Sequence, residues 1–239
     1  MLKKYFFVAV LCLFYLSSFA QENSSKLWTS VEYKTELNKR WDAEFAQLFR
    51  MKDDLDNVDS HITEAAFFYS PKKRWKIGAE LRYQYRNDTK GGIQGFENMY
   101  RYRFNLEKKF KVPHGNLAFR IGYQNRVSLD RDNRKKQRWR LRPSYEWKIK
   151  NWQLDPKFYF EYIETLNINN VERAFRYGIG SKFKWGKVAT VGFRYIFEHN
   201  QEMYEIDQNH HILALKLSFE KPKKKKKKDK DSTSEKDSK

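Results

Sequence analysis

The chain has one cysteine, few prolines and no apolar run long enough for a membrane helix, and each lack removes a class of protein. Among 239 residues the single cysteine, Cys12, falls in the N-terminal leader described below. The rest of the chain therefore offers no disulfide, no zinc-thiolate site and no cysteine nucleophile. It also carries no HExxH, no phosphate-binding glycine loop and no serine-histidine spacing of a hydrolase, so no cofactor or metal is expected. The apolar run Tyr5–Leu16 is shorter than the ~20 residues that a membrane-spanning helix needs.

That run is better read as part of an export leader. Lys3 and Lys4 precede it, and Ser18-Phe19-Ala20 follows as a small-x-small cleavage site, so residues 1–20 are expected to be a signal peptide and the mature chain to begin at Gln21. Leu11 before Cys12 argues against a lipoprotein-type site.

What the chain has in excess is basic charge and aromatic surface. The formal charge is +19. The tail 221–239 holds ten Lys against four acidic residues and the leader two Lys, so +11 remains for residues 21–220. A basic chain invites a nucleic-acid reading, but an exported protein does not meet nucleic acid, and none is expected as a partner. Aromatic residues make up 17% although mean hydropathy is −0.93. Alternation resolves the conflict: strands with one greasy and one charged side are hydrophilic on average.

Residues 75–86, WKIGAELRYQYR, show the pattern most plainly. Trp75, Ile77, Ala79, Leu81, Tyr83 and Tyr85 share one face of an extended strand, and Lys76, Gly78, Glu80, Arg82, Gln84 and Arg86 the other. Similar strands are predicted at 27–34, 41–51, 61–70, 98–107, 117–127, 138–148, 152–163, 173–183, 188–198 and 211–219. Pro143 and Pro156 weaken two of these, because proline removes a ladder donor. At 61–70, Phe67, Phe68 and Tyr69 crowd both faces.

Eleven strands of about ten residues, alternately joined by short turns and longer polar loops, predict an all-β fold: an antiparallel transmembrane β-barrel of ten to twelve strands over residues 21–220. A soluble periplasmic β-barrel binding protein is the competing class. Its greasy face would turn inward and would not leave so many arginines on the other. Short turns at 70–74, 108–115, 149–151 and 184–187 are expected on the periplasmic side, and loops at 52–59, 87–96, 128–137, 164–172 and 199–210 outside. Trp75, Tyr85, Trp139, Trp147 and Trp152 suit interfacial girdles, with outer-membrane lipid as the surrounding partner. Phe219 closes the last strand as a recognition signal for barrel-assembly machinery would, although the chain continues past it. Bacterial barrels carry even strand numbers, so ten or twelve is expected rather than eleven.

Leu27-Trp28, Val31-Glu32-Tyr33-Lys34, Leu37-Asn38-Lys39-Arg40-Trp41, the spaced pairs Arg101/Arg103 and Arg138/Arg140/Arg142, and Arg194-Tyr195 together resemble a family of Bacteroidetes-type outer-membrane proteins, domain-of-unknown-function family 2490, over about residues 25–220. The resemblance implies an outer-membrane barrel of a Gram-negative bacterium and no reaction.

The inward charges are the main functional candidates. Glu80 and Arg82, then Arg101, Arg103 and Glu107, Arg120 and Arg126, Arg138, Arg140, Arg142 and Glu146, Asp155 and Glu161, and finally Arg176, Arg194 and Glu198 are expected to face one another across a narrow lumen. They either pair and plug it, leaving a structural barrel, or line an anion-leaning channel. A second candidate is a rim cluster of His61, His199, Asp207, His210 and His211, with Glu205 close by, where a histidine-carboxylate pair could activate water. An enzyme is the lesser expectation. The lysine-rich tail 221–239 is expected to be disordered and periplasmic, with anionic lipid or cell-wall polymer as its partner.

Overall fold

The computed structural model describes residues 22–89, 94–131, 135–166, 172–186, 188–202 and 207–221. Residues 1–21, which include the expected signal peptide, Glu205 and the tail beyond Lys221 lie outside the described residues.

Eleven strands form one closed barrel. They are β1 (Glu22–Glu36), β2 (Trp41–Lys52), β3 (Asn57–Tyr69), β4 (Trp75–Asp88), β5 (Gly95–Val112), β6 (Gly115–Ser128), β7 (Lys135–Trp147), β8 (Lys157–Thr165), β9 (Glu172–Trp185), β10 (Ala189–Glu202) and β11 (Gln208–Glu220). Each pairs antiparallel with its sequence neighbour, and β1 closes the barrel by pairing parallel with β11, from Glu22 opposite Gln208 to Lys34 opposite Glu220. The expectation of an even number is thereby corrected. With an odd count the first and last strands run in the same direction, so the closing ladder has to be parallel. The two ends of the chain consequently leave from opposite rims.

Several strand boundaries also differ from the sequence reading. Strand β8 begins at Lys157, not at Trp152, because Pro156 lies in the connection; its carbonyl accepts from the Trp147 N–H at 2.9 Å. The connection 148–156 is thus longer than the turn expected at 149–151. Lys148 Nζ donates to Asp155 there at 2.6 Å, which holds the Asp155 carboxyl below its ordinary range, assisted by the Ile149 N–H. Strands β5 and β6, by contrast, run on until only Pro113 and His114 join them, so the turn expected at 108–115 is mostly strand.

The alternation decides which side of the sheet meets the surroundings. Phe45, Phe67, Leu81, Phe104, Ile121 and Tyr177 lie on the outer face, each at least half exposed or nearly so, from 47% for Ile121 to 56% for Phe104. Glu80, Arg82, Glu107, Glu161 and Glu198 on the inner face are buried. A soluble protein does not leave an apolar belt of this extent uncovered, whereas a barrel in lipid requires it and closure satisfies every ladder group within it. Four tryptophans mark one rim: Trp41 opens β2, Trp75 opens β4, Trp147 closes β7 and Trp185 closes β9. Trp41 packs on Tyr69 at 4.8 Å, and Lys108 Nζ sits 4.6 Å from the Trp75 ring. That is the arrangement of an interfacial girdle, and Trp152 adds to it from the 148–156 connection.

Candidate functional site: the charged lumen

Inward side chains of the strands line a cavity of about 1140 Å³. Its walls run from Asp53, Asp88 and Lys135 near the rim where β1 begins to Lys76, Lys109 and Lys157 near the tryptophan rim. The lining holds 22 lysines and arginines against 11 carboxylates. The interior is therefore strongly cationic before any pairing is considered.

Pairing follows the register. Arg82 stands directly opposite Arg101 and Arg120 directly opposite Arg142, contacts that would repel if left alone. Glu64 settles the first: it accepts from Arg82 Nε at 2.7 Å and from Arg101 Nη2 at 3.4 Å. Glu80 accepts from Arg103 and from Asn105 Nδ2, the latter at 2.6 Å. Glu107 accepts from Arg120 Nε at 2.8 Å. Glu161 accepts from Arg140 Nη2 at 2.9 Å and Arg176 Nη1 at 3.5 Å, and Arg176 continues to Glu198. On the rim where β1 begins, Glu172 takes Lys136 at 2.5 Å and Arg138 at 3.0 Å. Charge-assisted bonds of this kind fix long side chains that would otherwise sweep the lumen.

Halfway along β1, a residue that the charge pattern alone does not reveal lines the lumen. Trp28 faces inward between Arg50 of β2 and Ala214 of β11. It packs on a small apolar cluster of Tyr159, Ile196, Ile212 and Ala214. Arg50 lies 4.1 Å from the Trp28 ring and Arg176, reaching over from β9, lies 5.6 Å from it. A tryptophan between two guanidinium groups is favourable through the ring quadrupole. Arg50 comes from the neighbouring strand β2, whereas Arg176 reaches it from β9, three strands away around the barrel.

Large inward side chains are accommodated by glycine on the neighbouring strand. Phe68 lies over Gly78, where an added Cβ would come within 2.7 Å of its ring, and Tyr159 lies over Gly178 with no room for a Cβ at all. This resolves the crowded aromatic run at 67–69: Phe67 points outward and Phe68 inward, under Lys76 at 3.8 Å.

The predicted ladder residues Glu80, Arg82, Arg101, Arg103, Glu107, Arg120, Arg126, Arg138, Arg140, Arg142, Glu161, Arg176, Arg194 and Glu198 all line the cavity. Glu146 does not; it sits at the end of β7 with Lys148 Nζ 3.2 Å away. Asp155 stays in the 148–156 connection. Several lining residues escape a sequence reading. Glu64 is hidden by the ambiguous strand around it, Glu172 by its place in an apparent loop, and Trp28 and Tyr159 by being aromatic on the charged face. The available signal is parity: Trp28 shares its face with Ser30 and Glu32, and Tyr159 with Glu161.

The histidine cluster is not assembled. His61 faces outward on β3 against Phe49 at 4.9 Å. His211 faces outward on β11, its Nδ1 2.7 Å from the Tyr195 hydroxyl. His199 meets Asn209 Oδ1 at 2.9 Å, with Asp207 at 3.7 Å, and stacks on Phe175. His210 points into the lumen beside Ser24 Oγ at 2.7 Å. Alternation sends neighbours 210 and 211 to opposite faces, which a count along the sequence overlooks. Among the described residues no group of three His, Cys, Asp or Glu side chains is placed to hold a metal.

Residues 25–209 match the family described as "Protein of unknown function (DUF2490)". The chain belongs to this family. Its motif at 37–41 forms the first turn, where Asn38 Oδ1 accepts the N–H groups of Arg40 and Trp41 at 2.9 and 3.0 Å. No curated relative is similar in sequence. Among solved structures, OmpTdeltaL8, the loop L8 deletion mutant of OmpT, an outer membrane protein of Vibrio cholerae, is similar over 78% of this chain and 95% of that chain, with 9% identity and a TM-score of 0.38. The family member described here is itself a closed all-β barrel with an apolar outer face.

Proposed function

We propose that this DUF2490 protein is an outer-membrane barrel that passes small anions through its lumen, past the Trp28–Arg50–Arg176 stack. The carrying observation is the composition of the cavity wall, twice as many basic as acidic side chains along a space that reaches towards both rims. Uncompensated arginines along a water path lower the barrier for anions and raise it for cations. In this reading the tryptophan rim faces the periplasm, so that β11 ends there at Glu220 just after Phe219, where assembly machinery would meet it. The beginning of β1 then lies at the outer surface. The lysine tail enters the periplasm, where anionic lipid or cell-wall polymer would attract it. The role is non-enzymatic, consistent with histidines divided between the two faces of the wall.

Planar-bilayer recording tests the reading. Purified, refolded protein should give small conductance steps, and under a KCl gradient the reversal potential should lie on the chloride side. Silence at every salt concentration would establish a closed, purely structural barrel instead. Cell fractionation with heat-modifiable gel mobility tests the location: the protein should enrich with outer membranes.

A further inference from the structure

Resting on the proposal of an anion-conducting lumen, the geometry points to a specific oxyanion site inside it: Arg142, Lys157 and Arg194, gathered around Tyr159, bind phosphate and small soluble phosphomonoesters. The floor of the site is glycine. Gly180 of β9 lies between Lys157 of β8 and Arg194 of β10 in register, and Arg194 folds over it so closely that no Cβ would fit. One step along β9, Tyr159 lies across Gly178 in the same way. The two missing side chains let a guanidinium and a phenol from opposite neighbours lean over the same strand. Arg142 completes the group from β7, its guanidinium carbon 4.0 Å from the Tyr159 ring.

Arg142, Lys157 and Arg194 lack carboxylate partners, as Lys26 and Arg50 do elsewhere on the wall, but these three lie together around one aromatic ring and its glycine floor. Among the described residues, no carboxylate lies within salt-bridge distance of Arg142, Lys157 or Arg194. The acidic groups near enough to act on Arg142 and Lys157 electrostatically are Glu161, Glu107 and Glu146. Each is already engaged, Glu161 by Arg140 and Arg176, Glu107 by Arg120, and Glu146 by Lys148. Three adjacent cations without their own counter-ions repel one another until an anion joins them. Two planar guanidinium forks and an ammonium provide directional donors that match the several oxygens of a phosphate, whereas chloride uses their charge alone. A lipid phosphate is a poor fit, since its acyl chains would have to leave the apolar exterior for a cavity walled by charge.

Calorimetry on the full-length mature protein in detergent, with inorganic phosphate as the probe at constant ionic strength, tests the site. Wild type should bind phosphate, and chloride should compete only weakly. Arg142→Gln and Arg194→Gln should each weaken binding at least tenfold, Arg142→Lys less so, and Lys73→Gln in the exposed 70–74 turn not at all. Absence of phosphate binding by wild type, or unchanged binding by both glutamine variants, overturns the site. If those variants fail to fold, wild type decides alone: phosphate but not chloride should raise its unfolding temperature, and an equal effect of both salts overturns the proposal. Because binding is read without conduction, the two readings fail separately. Phosphate binding by a protein silent in bilayers would remove the channel and keep the site; chloride conduction without phosphate binding would do the reverse.

Discussion

At the scale of single residues, the lumen is governed by what stands on the adjacent strand. Arg82 and Arg101 are tolerated opposite each other because Glu64 lies between them, and Tyr159 occupies its place because residue 178 has no side chain. The second dependence is directly testable. Gly178→Val forces its new side chain into the Tyr159 ring, and overpacking of this kind costs about 1–3 kcal/mol. The expected result is a lower urea midpoint for loss of the compact, heat-modifiable form. An unchanged midpoint would mean that Tyr159 swings freely and does not shape the wall. The glycines at 78 and 178 are visible in the sequence, but the aromatic partner each one admits is two dozen or fewer residues away on another strand, and only the register identifies it.

At the scale of the strand, β4 states the rule for the whole sheet: adjacent residues face different solvents. Leu81 is 55% exposed on the outer face, and Arg82 beside it is buried in the lumen against Glu64. Leu81→Arg near the middle of the apolar belt should impair membrane assembly by about 2–4 kcal/mol. Arg82→Leu removes one partner of Glu64 but leaves Arg101 at 3.4 Å, so folding yield into lipid vesicles should fall less. Equal yields for the two variants would contradict the assignment of the faces. This part of the fold was legible in advance, because a period of two over a dozen residues admits only one sheet geometry. The misplaced start of β8 shows where legibility ends. Trp152 and Leu154 continue the apolar alternation, yet the Trp152 indole donates to the Leu154 carbonyl at 2.8 Å within a connection, and the ladder begins only after Pro156.

At the scale of the whole molecule, the odd strand count has the largest consequence. The parallel β1–β11 seam is joined inside the lumen by Glu32, which receives Lys216 Nζ at 2.5 Å and the Ser218 hydroxyl at 2.8 Å. The absence of cysteine after residue 12 makes the seam easy to probe. A Leu27→Cys, Leu213→Cys double variant places thiols on residues directly opposite across it, within the range a disulfide spans. Oxidation should yield an internal crosslink that persists in the heat-denatured protein and alters its gel mobility. Its absence, with normal assembly, would indicate that β1 lies outside the wall and that β2 closes on β11.

The sequence by itself determined the strands, their two-faced character and the basic bias of the inner face, since these depend only on residues near one another in the chain. It also carried the family assignment through the short motifs at 27–41 and the spaced arginines. Only the tertiary structure decided that eleven strands close with a parallel seam, that Trp28 is approached by both Arg50 and Arg176, and that the histidines do not meet. It likewise decided which cations have carboxylate partners and that the three around Tyr159 have none. Those outcomes depend on register and closure, which place residues more than a hundred positions apart in contact, and a local pattern of alternation is the same for every register that keeps its parity.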